Sequence, residues 1–327
     1  MNKREAEYYE VLENSKVKCK LCPHECIILP GKEGLCWARK NENGILYAQN
    51  YGLTTSIAVD PIEKKPLFHF RPGTGILSLS PNGCNMRCPY CQNYTISAQR
   101  TSTREITPQE LIALAREYHV SSIAFTYSEP IIWFEFIKDT AEYAQKEGID
   151  LVMVTNGQIL EEPLNDLLKI IKAMNIDLKS MSSEYYKGVL KGSLSTVKKT
   201  IERSSELIHI EVTNLLVPGD NDEETEELAE YLSSIKKTIP LHISRYFPNY
   251  LYKKPPTPLS TLKKAYEIAK KYLYYVYIGN AQIKGTEDTY CPKCSGTLVK
   301  RVGYYTEIVG ITEGKCSNCG RKVDFIL

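Results

Sequence analysis

Short apolar runs alternate with amphipathic stretches through the central two thirds of the chain. The apolar runs predict six strands and a closing strand, at residues 77–80, 122–126, 151–154, 174–178, 208–217, 241–244 and 273–278. Several of the stretches between them carry apolar residues at helical spacing. Because strands that alternate with helices form parallel sheets with right-handed crossovers, the pattern predicts an α/β fold.

Signals for helix ends support the helical assignments. Residues 107–110 read Thr-Pro-Gln-Glu, which is a capping box with proline at the first helical position. Residues 132–146 predict a helix that ends at Gly148, and the acidic residues 220–227 suit the start of another. Residues 261–272 predict the last helix.

The two ends of the chain have weaker patterns and denser turns than its centre. Residues 44–58 alternate weakly and predict a short hairpin or edge strands. We therefore expect three regions, divided by their cysteine content and by the strand and helix pattern. They are an N-terminal four-cysteine region at 1–74, an α/β core at 75–285 and a C-terminal ribbon at 286–327.

Composition and charge exclude several classes of protein. The 327 residues are 43% hydrophobic and 24% charged, which is typical of a soluble globular protein. The formal net charge of +2 gives no electrostatic footprint for nucleic acid. No apolar run approaches the roughly 18 residues of a membrane span, and the charged start lacks the apolar core of a signal peptide.

The eleven cysteines are the most informative residues of the chain. Ten of them stand in CxxC or CxxxC groups, and Cys36 stands apart. In a reducing compartment this spacing indicates metal ligation rather than disulfides. We therefore expect a cytoplasmic protein that binds metal.

Cys84, Cys88 and Cys91 form a CxxxCxxC group directly after the first predicted strand. Three thiolates on one loop can hold three irons of a [4Fe–4S] cluster and leave the fourth iron open to a substrate or cofactor. The alternative is a zinc site that takes a distant fourth ligand, because thiolates serve both metals.

Two further cysteine groups are complete sets of four. Cys19, Cys22, Cys26 and Cys36 suit either structural zinc or an accessory iron–sulfur cluster, and their spacing, which differs from the ferredoxin run, favours zinc. Four thiolates saturate a site, so we expect His24 to lie outside the ligand set.

The second set predicts a zinc ribbon. Its members, two CxxC pairs, are Cys291, Cys294, Cys316 and Cys319. Such a ribbon acts as a folding staple for a piece of chain with a small core, or as a docking surface.

Short polar motifs end three successive predicted strands: TYSEP at 126–130, TNG at 155–157 and DLK at 177–179. The carboxyl ends of parallel strands converge on one face, where active sites form, and the cysteine loop ends the preceding strand there. Each motif alone is weak evidence, since TNG is an ordinary turn and an Asp–Lys pair is common on surfaces. Their convergence predicts one site.

The cysteine loop resembles the cluster motif of radical S-adenosylmethionine (SAM) enzymes. With it, an ordered set of motifs resembles the pyruvate formate-lyase-activating-enzyme branch of that superfamily. These motifs are DPIEKKPLFHF at 60–70, NGCNMRCPYCQN at 82–93, TYSEP, TNG, DLK and LLVPGDND at 215–222. The N-terminal CKLCPHEC and the later PPTP and YVYIGN resemble one subgroup, the AmmeMemoRadiSam system radical SAM enzymes. The resemblance implies a partial (β/α)6 TIM barrel.

The resemblance also implies roles for residues at the strand ends. Ser128, Glu129 and Pro130 match the motif that meets the amino group of SAM, although Tyr-Ser replaces its two glycines. Asp177 and Lys179 match the pair that meets the ribose and the carboxylate. The other expected contacts to SAM are Tyr90 and Val217 near adenine, Asn156 in the TNG turn and His242.

One of these expectations carries an alternative, and one position departs from the family pattern. His242 points either into the core or towards the mouth of the barrel. In activating enzymes an aspartate precedes the TNG threonine at a cation site, and here that position is Val154, so we expect no such site.

The activity implied by the resemblance is one-electron cleavage of SAM to methionine and a 5′-deoxyadenosyl radical. That radical abstracts hydrogen from a substrate, either a protein side chain or a small molecule. The implied partners are an electron donor such as ferredoxin or flavodoxin and an AmmeMemo-type protein. Two other classes remain open: an RNA-modifying or RNA-binding protein that uses its ribbon, and a three-metal scaffold without catalysis.

Overall fold

The computed structural model describes residues 4–327 and is built on a sheet of eight strands. Seven of them are parallel and follow one another in sequence order. We number them one to seven: Gly75–Ser80, Ser122–Phe125, Asp150–Thr155, Ile171–Asp177, His209–Leu216, Leu241–Arg245 and Val276–Gly279. The six predicted strands and the closing strand are thus confirmed. Within the described residues, the sheet is open between its two edges.

The eighth strand, Ser56–Pro61, is antiparallel to strand one and forms the other edge of the sheet. It lies before residue 74, so the region expected to be N-terminal contributes to the central sheet. The weak alternation of residues 44–58 predicted edge strands, and this part of the prediction is confirmed.

Helices connect the parallel strands. The α-helices are Tyr94–Ser97, Pro108–Glu117, Phe134–Lys146, Glu161–Leu167, Ser183–Tyr185, Leu194–Leu207, Thr225–Ile235 and Leu259–Ala269. Three short 3-10 helices are Glu13–Ser15, Ile62–Lys64 and Pro130–Trp133, and one π-helical turn is Tyr186–Leu190. The predicted capping box is present, because Glu110 N donates to Thr107 Oγ1 at 3.2 Å and Thr107 N donates to Glu110 Oε2 at 2.7 Å.

Four of these helices were not predicted: Tyr94–Ser97, Glu161–Leu167, Ser183–Tyr185 and Leu194–Leu207. Glu161–Leu167 is short and contains Pro163. Leu194–Leu207 carries buried Leu194, Val197 and Ile201 at helical spacing after the N-cap Ser193, so the sequence held a signal for this helix that we did not use. Every helix in residues 4–327 is too short or too polar to cross a lipid bilayer.

The two faces of the sheet are covered differently. One face packs on the connecting helices. On the other, side chains from strands one to four meet a short segment, residues 62–70, that carries the KKPLFHF motif. The resulting cluster contains Ile62, Leu67, Phe70, Ile76, Ala124, Val152 and Ala173. Residues 62–70 therefore fill the inner side of the sheet below the strand ends.

The N-terminal region forms two small antiparallel sheets and docks on the helix that follows strand two. The first sheet contains Arg4–Glu5, Ile45–Ala48 and Arg39–Glu42, and the second contains Tyr9–Val11, Val17–Cys19 and Ile27–Ile28. A further strand, Leu53–Thr54, pairs with Arg104–Glu105. A buried ion pair, Arg39 Nη1 to Glu135 Oε2 at 2.6 Å, anchors the region to the core.

The C-terminal region packs against residues 68–71. Its strands are Thr289–Tyr290, Thr297–Val302, Tyr305–Ile308, Ile311–Thr312 and Lys315–Cys316. The ring of Phe325 stacks on His69 with centroids 4.0 Å apart, and Arg301 Nη2 donates to the Phe68 carbonyl oxygen at 2.7 Å. The ribbon thus contacts the segment that fills the inner side of the sheet.

His69 connects the ribbon to strand seven, and its protonation state tests whether its ring is buried. Its Nδ1 donates to the Asp324 carbonyl at 2.9 Å, and its Nε2 accepts from the Tyr277 hydroxyl at 2.6 Å. Complete burial disfavours the charged ring and lowers the pKa of His69 to about 3.

The neutral form of His69 is therefore the one that stabilises the fold. This contribution is present above the unfolded pKa of about 6.5 and is lost as pH falls towards the folded value, by up to about 1.4 kcal/mol per pH unit. We expect the His69 imidazole resonance in NMR, assigned by its absence in His69→Phe, to stay unshifted from pH 7.5 to pH 5. A titration midpoint above pH 5 would show that the ring is not buried as described.

Candidate active site

The cysteine loop, residues 82–93, lies at the carboxyl end of strand one. Cys84, Cys88 and Cys91 are each partly buried, and polar groups surround their sulfurs. Met86 N donates to Cys84 Sγ at 3.3 Å, and Ser97 Oγ lies 3.1 Å from Cys91 Sγ. Hydrogen bonds to sulfur stabilise the thiolate form that a metal or a cluster requires.

The spacing of the loop sulfurs can be compared with that of the C-terminal ribbon. Among the described residues, the four ribbon cysteines are the one group of His, Cys, Asp or Glu side chains whose ligand atoms all lie within 4.8 Å of one another. The sulfurs of Cys84, Cys88 and Cys91 are therefore spread more widely than those around a single ion. A cluster that offers each thiolate a different iron fits such a spread, so the loop fits a [4Fe–4S] group.

Glu129 ties the ends of strands two and three together. Its Oε1 accepts from Ile131 N at 3.0 Å and from Thr155 Oγ1 at 2.7 Å, and its Oε2 accepts from Asn156 N at 2.8 Å. Burial raises the pKa of Glu129 to about 7, against the opposing effect of these donors. The carboxylate predicted to meet an amino group is thus also a structural bridge between TYSEP and TNG.

Asn156 links that bridge to the cysteine loop. Its Nδ2 lies 3.7 Å from Cys84 Sγ and donates to Asn85 Oδ1 at 2.8 Å. Asn85 Nδ2 in turn donates to the Gln158 carbonyl at 2.9 Å. Sequence reasoning missed Asn85, because the only available signal is its place inside the CxxxC spacing.

Tyr127 explains how TYSEP replaces the two glycines of the family motif. The φ angle of Tyr127 is 67°, in the left-handed region that favours glycine. The Tyr127 hydroxyl donates to Asp60, and Lys65 Nζ lies 4.2 Å from the centre of its ring. Contacts to the 60–65 segment therefore hold a bulky residue in a conformation that glycine adopts at lower cost.

Ser128 and Pro130 continue this motif. Ser128 Oγ donates to the Pro81 carbonyl at 2.7 Å and lies 3.0 Å from Ser80 Oγ, so it fastens TYSEP to the end of strand one. Pro130 is buried and starts the turn Pro130–Trp133.

Asp60, the partner of the Tyr127 hydroxyl, is ionised. Burial opposes the charge of Asp60, but hydrogen bonds from Lys64, Lys65 and Tyr127 outweigh burial and hold its pKa below the usual value.

Asp177 and Lys179 share one face at the end of strand four. Lys179 Nζ lies 2.9 Å from Asp177 Oδ2, while Leu178 between them is fully buried. Burial opposes the charge of Lys179, but the neighbouring Asp177 carboxylate outweighs burial and holds the pKa of Lys179 above its usual value. A cation therefore lies beside the cysteine loop.

Asn221 joins the DLK motif to the loop after strand five. Its Nδ2 donates to the Lys179 carbonyl at 2.6 Å, and its Oδ1 accepts from Val217 N at 2.7 Å. This places the backbone of Val217 next to that of Lys179. Asn221 is a second residue that sequence reasoning missed, since a single asparagine in LLVPGDND gives no sign of its partners.

Tyr90 is buried under two further tyrosines. Its ring lies edge-on to Tyr252, with centroids 5.5 Å apart, and to Tyr246, at 6.4 Å. The loop that carries Tyr252 is also bound to the cysteine loop, because Tyr252 N and Leu251 N both donate to the Pro89 carbonyl. Residues 246–252 thus cover one side of the cysteine loop.

His242 belongs to a separate group on strands five and six. It is 3% exposed, and its Nε2 lies 2.6 Å from Glu211 Oε2. Phe68 packs edge-on to its ring at 4.7 Å, and the ring also lines a cavity of about 520 Å³ together with Thr213 and Ser244. The ring is thus largely buried and lines this cavity, and Glu211 rather than a residue of the cysteine loop holds it.

The two outer cysteine sets differ in geometry. In the ribbon, Cys291 Sγ lies 3.6 Å from Cys319 Sγ and Cys294 Sγ lies 3.7 Å from Cys316 Sγ. Sulfurs at the corners of a tetrahedron around zinc, with bonds of about 2.3 Å, are separated by about 3.8 Å. The ribbon sulfurs fit that ion. The N-terminal cysteines line one cavity and are more widely spread.

Comparisons with known protein sequences agree with this geometry. The model of the radical SAM superfamily matches residues 79–232. An uncharacterized protein of Methanocaldococcus jannaschii is 44% identical over 99% of this chain and its own full length. A second protein of that organism, named as a candidate glycyl-radical enzyme activating enzyme, is 27% identical over 60% of this chain and 85% of its own length.

Solved structures show the same fold at low sequence identity. A radical SAM methyltransferase from Sphaerobacter thermophilus has a TM-score of 0.52 at 16% identity, covering 64% of this chain and 67% of its own. Streptococcus suis SuiB bound to precursor peptide SuiA has a TM-score of 0.51 at 16% identity, covering 68% of this chain and 52% of its own.

Proposed function

Because this chain belongs to the radical SAM superfamily, we propose that Cys84, Cys88 and Cys91 hold a [4Fe–4S] cluster whose fourth iron binds SAM. The protein is an enzyme of the radical SAM class, related to activating enzymes. The observation that carries the proposal is the position of Lys179 beside Cys88 and of Asn156 beside Cys84 at the strand ends. Assignment to the AmmeMemoRadiSam subgroup stays a prediction.

The residues around the cysteine loop have separate tasks in this proposal. When bound, the cluster supplies the electron that splits SAM into methionine and a 5′-deoxyadenosyl radical. Lys179 offers its ammonium to the SAM carboxylate, and Asp177 accepts from the ribose hydroxyls. Each carboxylate oxygen of Glu129 can accept two hydrogen bonds. Two protein donors occupy Oε1 and one occupies Oε2, so Oε2 can accept one more from the SAM amino group.

The ribbon has a structural task in the same proposal. We assign one zinc ion to Cys291, Cys294, Cys316 and Cys319, because their sulfurs have the separations that tetrahedral zinc requires. The ion would hold together a region whose own apolar core is small. Through Phe325 and Arg301, the ribbon would in turn support the segment 68–71.

The proposed substrate class rests on the name of a relative, and a cavity beside strands five to seven is the proposed place for the substrate. The cavity of about 520 Å³ lies between the ends of strands five to seven, the 63–68 segment and ribbon residues Gly303 and Tyr304. Its walls therefore come from all three parts of the chain. The name of the activating-enzyme relative favours a protein side chain as substrate, and a small molecule of similar size is the alternative.

Partners follow from the electron that the reaction needs. Radical SAM activating enzymes generally use a reductant. We propose that this enzyme receives its electron from a one-electron carrier such as ferredoxin or flavodoxin. The resemblance to AmmeMemoRadiSam enzymes adds an AmmeMemo-type protein as the proposed substrate or partner.

An open iron can be detected directly. We expect the EPR spectrum of the anaerobically reconstituted, dithionite-reduced protein to change when SAM is added, because SAM would enter the coordination of one iron. The triple variant Cys84→Ala, Cys88→Ala, Cys91→Ala is the control and should show no SAM-dependent change. An unchanged wild-type spectrum at saturating SAM would argue against the proposed function.

A further inference from the structure

The N-terminal cysteines surround a second site, separate from the cysteine loop. Cys19, Cys22, Cys26 and Cys36 all line one cavity, and Arg39, His24 and Asn85 complete its walls. Cys19, Cys22 and Cys36 are buried, and Cys26 is partly buried. The four thiols thus face a common space that is almost closed to solvent.

The separation of these sulfurs does not suit a single ion. Tetrahedral zinc draws its four thiolates to about 3.8 Å from one another. Among the described residues, only the ribbon cysteines come so close together as a group, with all sulfurs within 4.8 Å. The N-terminal set is equally complete in its number of thiols but is arranged around a wider space, as thiolates on the separate corners of an iron–sulfur cube would be.

Arg39 supplies an independent sign that the cavity holds an anionic group. The residue is 1% exposed, and its Nη1 is bound to Glu135 at 2.6 Å. Its Nε and Nη2 have no hydrogen-bond partner within residues 4–327, although Arg39 lines the cavity. Buried guanidinium donors without acceptors are costly, and the sulfides of a negatively charged cluster would provide those acceptors.

The site also lies directly against the cysteine loop. A Cβ at Gly83 would overlap the Cys36 carbonyl oxygen, so residue 83 has to be glycine for this contact. His24 Nε2 donates to the Asn85 carbonyl at 2.6 Å, so this nitrogen is bound to the cysteine loop. Asn85 is the residue that reaches Cys84 through Asn156.

We propose that Cys19, Cys22, Cys26 and Cys36 hold a second four-iron cluster rather than a zinc ion. The sequence spacing favoured zinc, and the wide arrangement of thiols with the unpartnered donors of Arg39 favours the cluster. With four cysteine ligands this cluster has no open iron and does not bind SAM. The inference does not depend on the proposed function of the cysteine loop.

Metal analysis of three full-length proteins, purified and reconstituted without oxygen, tests this inference. Each wild-type chain should contain about eight irons and an equal amount of acid-labile sulfide. It should also contain about one zinc, in the ribbon. The triple alanine variant of Cys84, Cys88 and Cys91 should keep about four irons, with an EPR signal that SAM does not alter. Cys19→Ala with Cys22→Ala should also keep about four irons, with a signal that SAM does alter.

Two results would overturn the inference. One is a wild-type protein with about four irons and about two zincs. The other is a triple alanine variant without iron. The triple variant leaves the N-terminal site untouched, so it decides the question even if the double variant does not fold. Iron in the triple variant supports the second cluster whether or not the cysteine loop acts on SAM.

Discussion

Replacing Lys179 with alanine should weaken the binding of SAM about 10- to 100-fold, because one hydrogen bond to a charged group contributes about 1.5–3 kcal/mol. Lys179 is the cation that lies beside Cys88 and Asp177 at the end of strand four. The iron content should remain that of wild type, since the cysteines are unchanged. The measurement is a titration of SAM on matched, reconstituted samples.

Two further variants make this experiment specific. Lys172 lies on the same strand and is exposed, so Lys172→Ala removes the same charge from the strand without touching the site and should leave the affinity unchanged. Asp177→Ala should weaken binding as Lys179→Ala does. Unchanged affinity in both site variants would leave Asp177 and Lys179 as an ordinary ion pair at a strand end.

Replacing Cys291 and Cys294 with serine should remove about one zinc per chain and unfold the C-terminal region. Structural zinc contributes apparent binding free energies of about 10–16 kcal/mol in small metal-dependent domains, and the apolar core of the ribbon is small. Phe325 and Arg301 would then lose their contacts to His69 and Phe68. We expect zinc loss in metal analysis and new proteolytic cleavage after residue 286.

The control for the ribbon is Lys293→Ala, because Lys293 is exposed between the two replaced cysteines. This variant should keep its zinc and its resistance to proteolysis. Wild-type protein with no zinc and with iron bound at the ribbon would contradict the assignment.

The parallel sheet could be predicted from the sequence because its strands are short apolar runs separated by helix signals. The capping box at Thr107 and Glu110 is a local feature, so the residues that form it also reveal it. The convergence of the motifs followed from topology alone, since strand ends in a parallel sheet meet on one face. Helix Leu194–Leu207 could also have been predicted, because Ser193 caps it and Leu194, Val197 and Ile201 repeat at helical spacing.

Several parts of the site depend on contacts between residues far apart in sequence. Asn221 binds the carbonyl of Lys179, and Tyr127 is held by Asp60 and Lys65. Neither contact leaves a periodic or compositional signal. The metal preference of the N-terminal cysteines is of the same kind, because spacing along the chain gives the number of thiols and not the distances between their sulfurs.

The central claim is that the cysteine loop supports reductive cleavage of SAM, and formation of 5′-deoxyadenosine measures it most directly. Wild-type protein, reconstituted without oxygen and reduced with dithionite, should convert SAM to methionine and 5′-deoxyadenosine. The triple variant Cys84→Ala, Cys88→Ala, Cys91→Ala should form neither. Product from the triple variant, or none from a wild-type protein with an intact cluster and bound SAM, would contradict the account.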